Sequence, residues 1–247
     1  MPSLSFDITL CSDVGCVREQ NEDMVLCNND LYRDAEAATH IIIDNVVRME
    51  AIVADGMGGH NGGDYASELA AQSFDDWLMS LGSGVNIIEE AKRWAESAHQ
   101  MLLLKGAQMS EFEGMGTTFE GFFSYEGHIY HIHIGDSRTY RLRNGILKQI
   151  SRDHSMRELC CDRSLAANLI VNSLGAGETT FAEVSDMTET IMEGDLYMVC
   201  SDGLSDMVDD DAIEQLLQSS DAAALVRAAK ANGGKDNVSV IAIKVTL

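Results

Sequence analysis

Four aspartates stand at the ends of apolar runs that read as β-strands. Asp55 closes "AIVAD", Asp136 closes "IYHIHIGD", Asp202 closes "LYMVCSD" and Asp236 opens "DNVSVIAI". Strand ends lie in a row along a sheet, so carboxylates far apart in the chain can share one rim. Clustered carboxylates raise one another's pKa and cannot all ionise at neutral pH without cations. Hard divalent ions resolve that conflict, because magnesium and manganese accept all-oxygen donor sets. Two such ions side by side acidify a shared water and present hydroxide to phosphorus. A single Asp-Gly pair is most often a turn; its recurrence at strand ends is what points to metal chemistry.

The stretch "ADGMGGHNGGD", residues 54–64, tests the alternative of a glycine loop that wraps phosphate directly. Gly58 and Gly63 have the spacing of a nucleotide phosphate loop, but Asp64 stands where that loop needs lysine. Gly56 and Gly58 begin a dinucleotide fingerprint, but its third glycine would fall on Asn61. With acid at both ends the loop repels bare phosphate, so a cation must stand between. Gly56 instead removes Cβ bulk beside Asp55 and lets a backbone carbonyl reach the same centre.

The elements that must position these groups are legible as hydrophobic patterns. Strand-like runs occur at Leu4–Cys11, Met24–Cys27, His40–Val47, Ala51–Ala54, Thr117–Tyr125, His128–Ile134, Thr139–Arg143, Asp195–Cys200 and Val238–Val245. Turn-length gaps between many of them predict antiparallel sheets. Helical spacing joins Ala66, Ala70, Phe74, Trp77 and Leu81, and again Ile87, Ala91, Trp94, Ala98 and Met101. Shorter helices are expected near Ile213–Leu217 and Ala222–Ala231. Strands, a helix pair, strands and a second helix pair give an α+β order, with helices covering sheets. The only proline is Pro2 and no repeat or linker interrupts the pattern, so one domain over 1–247 is expected.

Composition narrows the partners. Lys plus Arg total 17 against 40 Asp plus Glu, a formal net charge of −23, which excludes a nucleic-acid or anionic-membrane footprint. No run approaches the ~20 apolar residues of a membrane span, and the first residues lack a basic, then apolar, leader. A soluble, cytoplasmic protein is the expectation. The six cysteines have no C-x-x-C spacing and read as reduced thiols rather than a zinc site or disulfide framework. His131 and His133 alternate onto one strand face without a third ligand in view, which predicts sheet packing rather than metal binding. "DMVDDDAIEQ" lacks the glycine of a calcium loop and reads as a helix N-terminus.

Upstream, "SDVGCVREQNEDMV" places Arg18, Asn21, Glu22 and Asp23 just before a strand. Taken with "VADGMGGH", "GMGTT", "IGDSR", "DHS", "SDGLSD" and "KDNVSVI", in that order, the chain from about residue 6 to residue 245 resembles the metal-dependent protein phosphatases of the 2C type, most closely the bacterial members. The resemblance implies two antiparallel β-sheets sandwiched between pairs of helices, a four-layer αββα fold. It implies two manganese or magnesium ions. Asp55 bridges them, the Gly56 carbonyl binds one, Glu22 and Asp23 ligate directly or through water, and Asp202 and Asp236 complete the set. Asp136, with Asp202, matches a weaker third metal site. Arg18 matches the arginine that grips the substrate phosphate, a task suited to a guanidinium holding two oxygens at once. His60 matches a histidine assigned to protonating the leaving group, and its ordinary pKa of ~6.5 suits a donor near neutrality. Asp55 serves catalysis through the metals.

The implied reaction is in-line attack of a metal-bridged hydroxide on a phosphoserine or phosphothreonine ester. Phosphorylated proteins are the implied substrates, with a cognate Ser/Thr kinase as a natural partner and a monomer as the expected state. Two alternatives stay open on the sequence: a pseudophosphatase that only binds phosphoproteins, and a phosphatase of small esters. The segment from Met156 to Asn172, "MRELCCDRSLAANLIVN", departs from the family pattern in the flap beside the site. The stretch from Asn28 to Arg48 also looks slightly extended.

Overall fold

A computed structural model describes residues 4–58, 62–162, 164–166 and 169–246. The chain opens with β1 (Ser5–Asp13), β2 (Asp23–Cys27), β3 (Asp30–Tyr32), β4 (Glu36–Ile42) and β5 (Glu50–Met57), followed by the helices α1 (Gly63–Ser80) and α2 (Ile87–Gln108). Five strands come next: β6 (Gly116–Thr117), β7 (Phe119–Tyr125), β8 (His128–Ile134), β9 (Arg138–Arg143) and β10 (Ile146–Gln149). After a short α3 (Met156–Leu159) come β11 (Glu183–Asp186), β12 (Leu196–Cys200), α4 (Asp202–Ser205), α5 (Asp210–Leu217), α6 (Ala222–Ala231) and β13 (Val238–Thr246). One antiparallel sheet has the order β10-β9-β12-β13-β1-β4; the other runs β11-β8-β7-β5-β2-β3, with β6 paired to β5.

Side-chain alternation explains the layers. In β5, Ala51 and Val53 pack between the sheets while Ile52 and Ala54 lie under α1 and α2. In β13, Ile241, Ile243 and Val245 enter the same inter-sheet core, and Val238, Val240 and Ala242 lie under α5 and α6. Strands buried on both faces read as unbroken apolar runs, which is why "AIVA" and "VSVIAI" stand out in the sequence. The result is the four-layer αββα arrangement. Aromatic packing holds the α1–α2 layer to its sheet: the Phe74 ring lies 4.7 Å from Trp94, 5.0 Å from Phe119 and 5.4 Å from Phe123.

The structure moves some boundaries. The strand expected over His40–Val47 runs Glu36–Ile42 instead, because it is a sheet edge paired only with β1 and its outward residues need not be apolar. The short edge strands β3, β10 and β11 carry the same weak signal and have no counterpart in the sequence pattern. Asp209 accepts a hydrogen bond from the Ala212 backbone N–H at 2.9 Å, so "DMVDDDAIEQ" is the capped start of α5. All six cysteines are free thiols; Cys11, Cys27 and Cys200 are buried.

His131 and His133 turn inward between the sheets, where one ring nitrogen of each meets an oxygen of the buried Glu120, at 2.8 Å for His131. Burial alone would raise the Glu120 pKa, but His133 and His131 outweigh it and hold it near 2. Burial would lower His133, and Glu120 instead lifts it to about 9. This is a buried ion pair serving the core, as the strand pattern predicts, rather than a metal site.

Phe74 is fully buried at the centre of the aromatic cluster. Phe74→Ala should cost about 3–5 kcal/mol, measured by urea unfolding; a loss below about 1 kcal/mol would contradict this packing.

Candidate active site

The predicted carboxylates meet at one mouth of the inter-sheet core. Asp23 and Asp55 are direct register partners across β2 and β5, so their side chains share one face. The opposing sheet brings the end of β12 beside the start of its antiparallel neighbour β13, which places Asp202 next to Asp236. Asp136 sits where the chain crosses from β8 in one sheet to β9 in the other. Glu22 and Arg18 come from the β1–β2 connection over the same mouth, and Arg18 Nη2 donates to Asp236 Oδ2 at 2.8 Å.

Backbone contacts hold this mouth open for carboxylates. A Cβ on Gly56 would stand 2.1 Å from the Gly63 carbonyl oxygen and 2.5 Å from that of Glu22, so no larger residue fits between β2 and the start of α1. Gly203 is still tighter, with its Cβ position 1.8 Å from the Asn237 carbonyl oxygen. The Asp55 amide donates to Thr118 Oγ1 at 2.9 Å, and Thr117 Oγ1 donates to the Asp55 carbonyl at 3.0 Å. Those two bonds fix the strand end and explain the threonines of "GMGTT".

Electrostatics at the mouth are those of crowded anions. Burial, then Asp23, Asp202, Asp136 and Asp236 in turn, push the Asp55 carboxyl well above its ordinary pKa. Asp23 rises to about 7 through burial and then Asp202 and Asp236, against opposing hydrogen bonds from Ser201 and Ser239. Asp136 also rises to about 7, through burial, Asp202 and Asp153. Asp202 rises to about 6 through burial, Asp236 and Asp206, with the Asp55 side chain in hydrogen-bonding reach. Burial likewise raises Glu22.

The donor set fits hard divalent cations. Asp23 Oδ1 and Asp136 Oδ1 are buried and have no hydrogen-bond partner among the described residues. An unpartnered buried carboxylate oxygen costs several times what a satisfied one does, unless a cation or water takes the lone pair. Among the described residues no three His, Cys, Asp or Glu side chains converge closely enough to form a cage by themselves. Carboxylates, the Gly56 carbonyl and water together suit magnesium-sized ions, which keep several waters when bound. His60 lies outside the described residues.

Several residues that brace the site have no individual signal in the sequence. Ser201 Oγ donates to Asp23 Oδ2 at 2.8 Å. Asn237 Oδ1 accepts from the Glu22 amide at 2.8 Å while its Nδ2 donates to the Val14 and Gln20 carbonyls, clasping the β1–β2 connection to β13. Ser67 Oγ, on α1, donates to the Glu22 carbonyl at 2.6 Å. Arg138 grips Asp153 through Nε and Nη2, at 2.6 Å for the shortest contact, and so ties "GDSR" to "DHS". Ser201 and Asn237 adjoin motif aspartates, and that adjacency was the available hint.

Comparison with known proteins agrees with this geometry. The sequence profile of the family described as "Protein phosphatase 2C" matches residues 27–233. The chain is 28% identical to serine/threonine phosphatase stp of Listeria monocytogenes, over 94% of this chain and 93% of that protein. It is 31% identical to serine/threonine protein phosphatase PstP of Mycobacterium tuberculosis, over 95% of this chain and 44% of that protein. Among solved structures, the S. agalactiae serine/threonine phosphatase superposes with a TM-score of 0.81 at 26% identity, covering 98% of this chain and 100% of that one. The PstP catalytic domain in complex with two manganese ions superposes with a TM-score of 0.78 at 29% identity, covering 99% and 100%. With a profile spanning most of the chain and a fold that agrees throughout, this protein belongs to the protein phosphatase 2C family.

Proposed function

We propose that this chain is a metal-dependent serine/threonine phosphoprotein phosphatase whose residues 1–247 act as one catalytic domain. The observation that carries the proposal is the gathering of Asp23, Asp55, Asp136, Asp202 and Asp236 at one mouth, with two buried carboxylate oxygens left without partners among the described residues. Relatives named as serine/threonine phosphatases, and a neighbour holding two manganese ions, support the same reading.

In this reading Glu22, Asp23, Asp55, the Gly56 carbonyl, Asp202 and Asp236 hold two manganese or magnesium ions, and Asp136 with Asp202 holds a weaker third. When bound, the ions neutralise the rim and make a water there acidic enough to ionise near neutral pH. Arg18, exposed at the rim, binds and orients the phosphate, leaving Asp236 to the metal site. The bond from phosphorus to the serine or threonine oxygen breaks as water supplies the new oxygen in line. His60 then returns a proton to the leaving alkoxide, which is a poor leaving group without one. Phosphorylated proteins are the proposed substrates, including a cognate Ser/Thr kinase and its targets. Among the described residues no helix is long and apolar enough to cross a membrane.

A carboxylate with a folded pKa above its unfolded one binds more protons when folded, so its contribution favours folding in acid and is lost as pH rises through the folded value. For Asp23 and Asp136 that loss runs from the ordinary 3.8 up to about 7. Manganese should therefore raise the melting temperature more at pH 8, where the rim is charged, than at pH 5; equal shifts would contradict a carboxylate site. Asp55→Asn should reduce manganese-dependent aryl phosphate hydrolysis by at least about 10³-fold, as should chelation, while raising the melting temperature of the metal-free protein at pH 8. Activity surviving both treatments rules out the binuclear centre. Arg18→Ala should lower kcat/KM by about tenfold to a hundredfold. His60→Gln should lower kcat far more for phosphopeptides than for aryl phosphates, whose leaving groups need no proton. Equal effects on both substrates would remove His60 from that role.

A further inference from the structure

Arg18 is carried by the connection between β1 and β2, not by a strand or helix, and its guanidinium stands among acids. It pairs with Asp236 at 2.8 Å, and Glu22 and Asp55 attract it as well. A guanidinium that is to hold phosphate must stay within reach of the rim without settling permanently on those carboxylates. The Arg18 side chain is about half exposed, so the restraint falls on the backbone that carries it.

Residues 13–18 supply that restraint from the helix layer behind them. Asp13, the last residue of β1, turns its carboxylate back on the chain, and its Oδ1 accepts from the Gly15 amide at 2.8 Å, the local bond of an Asx turn. The same carboxylate takes Lys230 Nζ on both oxygens, at 2.8 and 2.7 Å, which ties the turn to the last turn of α6. Gly15, at φ +83°, lies directly on the backbone of Asp236, where a Cβ would stand 2.2 Å from the carbonyl oxygen. Beyond it the Cys16 amide donates to the Gly234 carbonyl at 2.7 Å, and the Gly234 amide returns to the Ala229 carbonyl of α6 at 3.0 Å. Asn237 holds the Val14 and Gln20 carbonyls on either side. A partly exposed ion pair adds little to stability, and a base in the last helical turn favours its own helix. Neither accounts for one carboxylate joining α6 and the Arg18 turn at the same time.

We propose that Asp13 and Lys230 are positioning residues for Arg18. Lys230 holds the Asp13 carboxylate, that carboxylate sets the turn at Val14 and Gly15, and the turn delivers the Arg18 backbone to the rim. Neither residue touches the phosphate; both act through Arg18. The proposal rests on the phosphatase reading above, in which Asp236 serves the metal site. Its contact with Arg18 then no longer restrains the loop, and the brace from α6 and the backbone bonds beside it remain.

The test uses the full chain with manganese and an aryl phosphate, a substrate whose main handle is its phosphate. Lys230→Met keeps the aliphatic stem and removes the charge; Asp13→Asn keeps an acceptor for the Gly15 amide and weakens the pair. Each should raise KM by about threefold to tenfold, with kcat and the manganese concentration for half activity within about twofold of the unmodified protein. Lys230→Arg should keep the original KM. In an Arg18→Ala background, Lys230→Met should change KM by less than about twofold, because residues that act through one another are not additive. In the metal-free protein, hydrogen exchange at the Gly15 and Cys16 amides should be faster in Lys230→Met, while β5 and β12 exchange as before. Normal turnover with an unchanged KM, an equal KM effect with and without Arg18, or unchanged exchange at Gly15 and Cys16 overturns the positioning proposal alone. A change confined to the manganese requirement overturns it in favour of Asp236 as the group served. Absence of metal-dependent turnover by the unmodified chain on every substrate overturns the phosphatase reading and this proposal with it.

Discussion

Repulsion among carboxylates at the mouth of the inter-sheet core is the constraint on which the rest of the structure depends. Asp23, Asp55, Asp136 and Asp202 each have a raised pKa because burial and the neighbouring acids act in the same direction. Such a cluster opposes folding at neutral pH and persists only where the scaffold fixes its members independently. Each member is accordingly anchored by its backbone: Asp23 and Asp55 by pairing between β2 and β5, Asp202 and Asp236 by pairing between β12 and β13. The stability that holds the anions together comes from the three apolar layers behind them, not from contacts at the site.

That division of labour accounts for the glycines and small polar residues around the mouth. Gly56 and Gly203 stand where backbone segments approach too closely for a Cβ. Ser201, Ser67, Thr118 and Asn237 satisfy backbone groups or carboxylate oxygens while leaving other lone pairs turned towards the rim. The chain also uses charge in a second, opposite way. Glu120 with His131 and His133 forms a hydrogen-bonded cluster inside the sandwich, where the burial penalties of Glu120 and His133 are each met by an opposite charge. One acidic group is thereby made inert for the core, whereas those at the mouth are left in need of a cation.

The two regions are joined by a short run of contacts. His133 Nε2 bonds the Arg152 carbonyl at 2.8 Å, its ring lies 4.2 Å from that of His154, and His154 in turn bonds the Gly135 amide beside Asp136. Asp153, between them in sequence, is held by Arg138 of the same turn. The core ion pair, the segment after "DHS" and Asp136 are therefore built on contiguous contacts, and an apolar groove lined by Leu159, Val171 and Phe181 opens on the outer side of that junction.

The sequence by itself determined the doubly buried central strands, the two helix pairs and the strand-end aspartates, because each is written in local periodicity or in a residue type at a strand boundary. It also read His131 and His133 as sheet packing rather than a metal site, since no third ligand stood in view beside them. Edge strands such as β4 and β3 were not legible, because one face open to water imposes little pattern. The direct pairing of Asp23 with Asp55, the clasp of Asn237 on the β1–β2 connection and the bond of the buried His154 to the Gly135 amide were decided only in three dimensions. Register between strands, close backbone approach and desolvation are properties of pairs of segments distant in the chain. A single stretch of sequence names the groups that can do chemistry; the packing of one sheet on another decides which of them meet.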